Sequence, residues 1–267
     1  MHQYQADRMM SCTSFLAVTI SLRAYAIRQG ANVKMEFDGY ADEIDPLLAH
    51  LEEMGMRSAA KSLIRLRTAL DETISGKHEH DLLNRFQDFK DRLQDELSSH
   101  MILALSEGEQ LLFKGAEAAF GPDVVAKFPS LKHDLDEAAK CLALARPTAS
   151  AFHSLRSLEA GIRAISRCLN IPDPTKGADR NWGRMLQKVK QEIEARWPAA
   201  ADRFAGDGKV FEELHAALAV IQNPYRNATA HLDAVYDQHD ATHLMEMTKG
   251  LLRRIANRMD EDGHPIA

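Results

Sequence analysis

Apolar side chains recur at helical spacing along most of the chain. Leu82, Phe86, Phe89, Leu93 and Leu97 step by four, three, four and four, which draws one stripe down a helix over 80–97. A second pattern runs from Glu43 to about Ile74. Ile44, Leu47, Leu48, Leu51 and Met54 form its first part, and Leu63, Leu66 and Leu70 follow beyond Gly55. Ser75-Gly76-Lys77 lies between the two patterns and reads as a turn. Together they predict a long helical hairpin, either a coiled-coil arm or a pair packed on the rest of the protein. Met101 to Leu105 is a short apolar run with two readings, a strand or a buried connector. Gly121-Pro122-Asp123 marks a helix start, with proline in the first turn. Phe128-Pro129-Ser130 marks another, with Ser130 as its N-cap.

Beyond residue 128 the spacing predicts helices over 131–145, 148–170, 182–195, 209–222 and 239–259. Phe152, Leu155, Leu158, Ile162, Ile165 and Leu169 make the inner face of the second, and Ile171-Pro172-Asp173-Pro174 ends it. Phe211, Leu214, Leu218 and Ile221 line the fourth, and Asn223-Pro224 interrupts it. Leu244, Met247, Leu251 and Ile255 line the last. The expected fold class is therefore all-α. Residues 128–262 form a bundle of four or five helices, 41–127 a hairpin region, and 1–40 a partly disordered extension. Met35 offers an alternative start that would leave 1–34 outside the folded protein.

Composition narrows this picture. The 267 residues are 45% hydrophobic and 27% charged, enough for one large core or two modest ones and unlike a disordered chain. Fourteen glycines and nine prolines are too few for a turn-rich β-sandwich. Cys12, Cys141 and Cys168 are scattered and form no CxxC pair, so a reducing, cytoplasmic setting is expected rather than a disulfide framework. No stretch approaches the roughly 18 apolar residues of a membrane span, so no membrane partner is expected. Phe15 to Leu22 is the most apolar N-terminal run; following Arg8, it suggests a signal peptide, but it is short and ends at Arg23 without a small-residue cleavage pattern. Net charge is −6, divided as −8 over 1–139 and +2 over 140–267. That split favours the second half for a phosphate-bearing partner, against the alternative of an ordinary solvated surface.

One segment between the last two helices carries candidate chemistry: Asn223-Pro224-Tyr225-Arg226-Asn227-Ala228-Thr229-Ala230-His231. Arg226 and His231 stand five positions apart, close enough to converge on one ligand group. Looser relatives occur at Arg146–His153 and Arg258–His264, so spacing alone does not select this pair. Position between two amphipathic helices does. The alternative is that both side chains cap helix C-termini.

The run Arg226-Asn227-Ala228-Thr229-Ala230-His231 resembles the RNxxxH form of the Arg-x4-6-His motif of the HEPN superfamily. The stretch from Asp134 to Glu159 and Trp182-Gly183 resemble a group of bacterial HEPN-like proteins with a similar helix pair and a similar "WG" start to the third helix. The resemblance covers roughly residues 128–260. It implies a HEPN-like bundle, usually a homodimer with both motifs at the two-fold axis. It also implies a metal-independent endoribonuclease, without cofactor, in abortive infection, toxin-antitoxin growth arrest or antiviral defence. RNA is then the substrate, and an antitoxin or other protein partner would engage the N-terminal arm. His231 would transfer protons, Arg226 would hold the scissile phosphate, and Asn227 would bind phosphate or orient His231. Tyr225 would stack on a base. His153, Arg156 and Glu159 are candidates to support that pair from the neighbouring helix, against the alternative of an Arg156–Glu159 intrahelical pair and a half-buried histidine. The rival function is a non-catalytic helical dimer that binds a protein, RNA or a nucleotide. His239 and His243 are four apart, but they read as surface residues with no third metal ligand. His78 and His80 read as solvated turn residues, Trp182 as a packing anchor, and Cys141 and Cys168 as small core residues.

Overall fold

The computed structural model describes residues 6–30, 40–75, 81–101, 103–172, 182–222 and 235–266. Among these residues the secondary structure is helical, with a single isolated bridge, Met259 to Pro265, and no strand. The chain divides into two compact units, Met1–Leu103 and Ala104–Ala267.

The first unit contains α1 (Ala6–Arg28), α2 (Tyr40–Glu53), α3 (Arg57–Ile74) and α4 (Leu82–Ser98). The single pattern expected over 43–74 splits into α2 and α3 at Gly55. Gly55 has φ of +74°, a conformation that glycine enters without a Cβ penalty. Its N–H meets Glu52 O and the Met56 N–H meets Leu51 O, which closes α2. The start of α3 has no side-chain cap of its own. Glu96 of α4 supplies one, accepting from Ser58 N at 3.0 Å and Ala59 N at 2.8 Å. The predicted stripe of α4 is buried at Leu82, Phe86, Phe89 and Leu93, in one core with Leu63, Leu66 and Leu70 of α3.

Three expectations are corrected here. Within the extension Ala6–Arg28 forms α1, and its Cys12, Leu16 and Ile20 enter the same core. The unit is therefore a four-helix assembly rather than a bare two-helix arm. The absence of a span-length apolar segment also fails. Met9–Arg28 has mean hydropathy 1.3 and is long and apolar enough to cross a membrane by length and composition. Serines and threonines break its apolar runs without making the helix polar, so a count of consecutive apolar residues misses it. The described residues of the Met101–Leu105 run form neither a strand nor a buried connector: Met101 is 90% and Leu103 61% exposed, in coil.

The second unit holds α5 (Glu107–Phe113), α6 (Ala116–Phe120), α7 (Pro122–Lys127), a 3-10 turn (Pro129–Leu131), α8 (Lys132–Ala143), α9 (Pro147–Cys168), α10 (Trp182–Arg196), α11 (Ala200–Arg203), α12 (Gly206–Ile221) and α13 (Gln238–Ala256). The division falls at 103/104 rather than near 128 because α5 to α7 are tied into the bundle. Asp136 of α8 accepts from Ala116 N, Lys127 Nζ donates to Ala256 O, and Arg253 Nε donates to Phe120 O. Pro122 opens α7 as expected. Ser130 does not cap α8: its backbone N–H goes to Glu261 Oε2, and α8 begins after Leu131 without a side-chain cap.

The bundle is built on α9. The chain reverses at Ala145, with φ of +54°, and α8 and α9 pack antiparallel with Ser150 Oγ donating to Ala138 O. Gly161 lets α13 approach: a Cβ there would lie 2.8 Å from Ile255 Cδ1. Charge redistributes with the boundary. Residues 1–103 hold 12 Lys+Arg and 16 Asp+Glu, a net −4; residues 104–267 hold 21 and 23, a net −2. The positive excess expected of the second half vanishes once 104–139 joins it.

Candidate functional site

Arg226, Asn227, His231 and Tyr225 lie outside the described residues, as do His78 and His80. The flanks of the motif are described. Tyr236 N–H donates to Thr148 Oγ1 at 3.1 Å, and Gln238 Nε2 donates to Leu142 O at 3.0 Å. The helix that follows the motif is thus pinned to the α8–α9 turn. Ion pairs Arg254–Glu213 and Arg258–Asp207 make α12 and α13 antiparallel. The end of α12, where the motif segment begins, therefore lies at the same end of the bundle.

His153 and Arg156 come together on Asp134, a carboxylate 8% exposed in the first turn of α8. His153 Nδ1 is 2.9 Å from Asp134 Oδ1, and Arg156 Nε pairs with Oδ2 at 3.1 Å. A carboxylate accepts only, so Nδ1 carries the hydrogen and neutral His153 presents Nε2 as a lone pair. His153 lies five residues beyond Thr148, about 8 Å along the helix axis. Phe152, expected on the inner face, is 48% exposed and packs edge-on to His153 with ring centroids 5.4 Å apart. Its neighbour Ala151 takes the buried position instead.

Glu159 does not join this cluster. Its Oε1 accepts from Trp182 Nε1 at 3.1 Å, and the Trp182 ring is 1% exposed, as a packing anchor should be. The expected Arg156–Glu159 pair is replaced by Arg156–Asp134, which joins α8 to α9. Asp134 and Phe152 are the residues that sequence reasoning failed to single out as polar and aromatic partners. Folding the two helices back about the 144–146 turn sets Asp134 opposite His153, and that register is the signal which could have found it.

Elsewhere in this unit His215 of α12 is held below its ordinary pKa of 6.5 by burial and by Lys190 nearby. Burial would raise the Asp136 carboxyl, but the Ala116 N–H and Lys132 outweigh it and hold it below its ordinary range. His239 and His243 are exposed. Cys141 and Cys168 are half-buried free thiols. Among the described residues no group of three His, Cys, Asp or Glu side chains is placed to hold a metal ion. Compared with family models, curated proteins and solved structures, the chain matches none.

Proposed function

We propose that this chain is a metal-independent endoribonuclease of HEPN type, acting in phage defence or toxin-antitoxin growth arrest. The supporting observation is the anchoring of the segment that follows the motif at the α8–α9 end of a helical bundle, the end nearer His153 and Arg156. The chemistry suits the residues. The 2′-oxygen attacks phosphorus, the P–O5′ bond breaks, and the products are a 2′,3′-cyclic phosphate and a 5′-hydroxyl. Histidine moves the protons and arginine binds the charge on the five-coordinate phosphorus. A homodimer supplies two copies of His231, one for each transfer, from a single sequence.

The test is RNA cleavage by the purified full chain in EDTA, with the product ends identified. His231→Ala is expected to reduce the rate by about 10²–10⁴-fold, and Arg226→Ala also to abolish cutting while leaving the melting temperature unchanged. Intact RNA after incubation with the wild type contradicts the proposal. A lowered melting temperature in Arg226→Ala identifies a structural cap instead.

A further inference from the structure

We infer that Phe152, His153 and Arg156, set in place by Asp134, form a ribonucleotide-recognition site on α9 that selects RNA over DNA. The choice of RNA rests on the proposed function; the selection itself rests on three adjacent chemistries. In its neutral form His153, with its Nδ1–H committed to Asp134, offers Nε2 as an acceptor. Nothing among the described residues hydrogen-bonds Nε2, and it is not one of the buried unpartnered atoms. An acceptor there fits a 2′-hydroxyl, a donor that DNA lacks.

Arg156 uses Nε for Asp134, and its side chain is 59% exposed, so its terminal nitrogens are open to a phosphate oxygen. Phe152 follows on the same helix surface, exposed and in contact with the His153 ring, as a face for a base. His133 of α8 stands edge-on to His153 with centroids 6.4 Å apart and bounds the other side. The Asp134 and Arg156 charges offset each other. The site therefore attracts nucleic acid weakly by charge and discriminates by hydrogen bonding.

Asp134 is a positioning residue: it touches no ligand and acts through the His153 ring. Without it the neutral ring is free to carry its proton on Nε2, which turns the acceptor into a donor.

The experiment measures anisotropy of a fluorescein-labelled 12-nucleotide single strand, as RNA and as DNA of the same sequence. The protein is the full chain carrying His231→Ala to prevent turnover, with wild-type cleavage followed in parallel. RNA is expected to bind about fivefold more tightly than DNA. His153→Ala should bring RNA to the DNA level and leave DNA unchanged. Arg156→Ala and Phe152→Ala should each weaken both strands by about tenfold. Nitrogen-15 spectra should show neutral His153 protonated at Nδ1 in the parent and shifted toward Nε2 in Asp134→Ala, with a melt to show that this variant is folded. Equal RNA and DNA affinities, no binding of either, a preference that survives His153→Ala, or an Nε2-protonated ring in the parent overturns the inference. If the wild type cuts RNA but the preference ignores His153, this inference alone falls. If the preference depends on His153 but the wild type cuts nothing, the nuclease reading alone falls.

Discussion

Among the described residues, the N-terminal unit buries Leu, Ile, Ala, Met and Phe side chains with one thiol, Cys12, and one hydroxyl, Ser62. The C-terminal unit buries Asp134, Ser150, Ser154, Ser157, Ser166 and Thr248 among its apolar groups. The first core is specified by area removed from water. The second is specified by hydrogen bonds as well: Ser150 ties α9 to α8, and Asp134 collects His153 and Arg156. A buried carboxylate costs free energy unless it is paired, and here both partners are half-open to solvent. Such an arrangement suits a ligand-binding surface, and the N-terminal unit has no counterpart to it among the described residues.

The largest effect expected from this contrast is in the apolar core. Phe89, wholly buried, should cost about 3–5 kcal/mol when changed to alanine. Denaturant unfolding reads this loss, which should spare RNA cleavage if the chemistry belongs to the other unit. Next comes Asp134→Ala, expected to cost about 1–3 kcal/mol because it strips the acceptor from His153. Arg156→Ala should change stability by less than about 1 kcal/mol, since that side chain is more than half exposed. Equal losses for the two would show that the cluster is packing rather than a binding surface.

Proton linkage separates the units by sign. The folded pKa of His215 is lowered, so below its ordinary value of 6.5 the unfolded chain takes up the proton first. The C-terminal unit should lose stability as pH falls through that range, and His215→Gln should flatten the loss. Cys12 behaves oppositely: burial first, and then Glu43, push its thiol up to about 12. The folded unit keeps that proton longer, so stability is full below the ordinary 9.0 and is lost as pH rises beyond it. Thermal melts across pH, with Cys12→Ala as the control, check this. The smallest effect is kinetic: at pH 8 Cys12 should alkylate more slowly than the half-buried Cys141 and Cys168.

Periodicity made α4, α9, α12 and α13 legible to within a few residues, because each sets a continuous apolar stripe against a core. It failed where one residue changes direction. Gly55 sits inside an unbroken helical pattern, and its positive φ, followed by the non-helical Met56, divides α2 from α3. Phe152 fits the α9 stripe in sequence, yet Ala151 is the buried neighbour. His153 and Arg156 were legible as neighbours on one helix face. Asp134 was not legible as their partner, because that pairing needs the α8–α9 turn. Arg226 and His231 stand on resemblance and on the position of their flanks.

The most direct measurement asks whether the chain touches RNA and through which unit. The full chain is irradiated with a 4-thiouridine-labelled single-stranded RNA, and the crosslinked peptides are mapped. Crosslinks within 147–160 and 222–236, with α1 to α4 unlabelled, are the expected result. Crosslinks confined to 6–98, or none at all, contradict the assignment of RNA chemistry to the C-terminal unit.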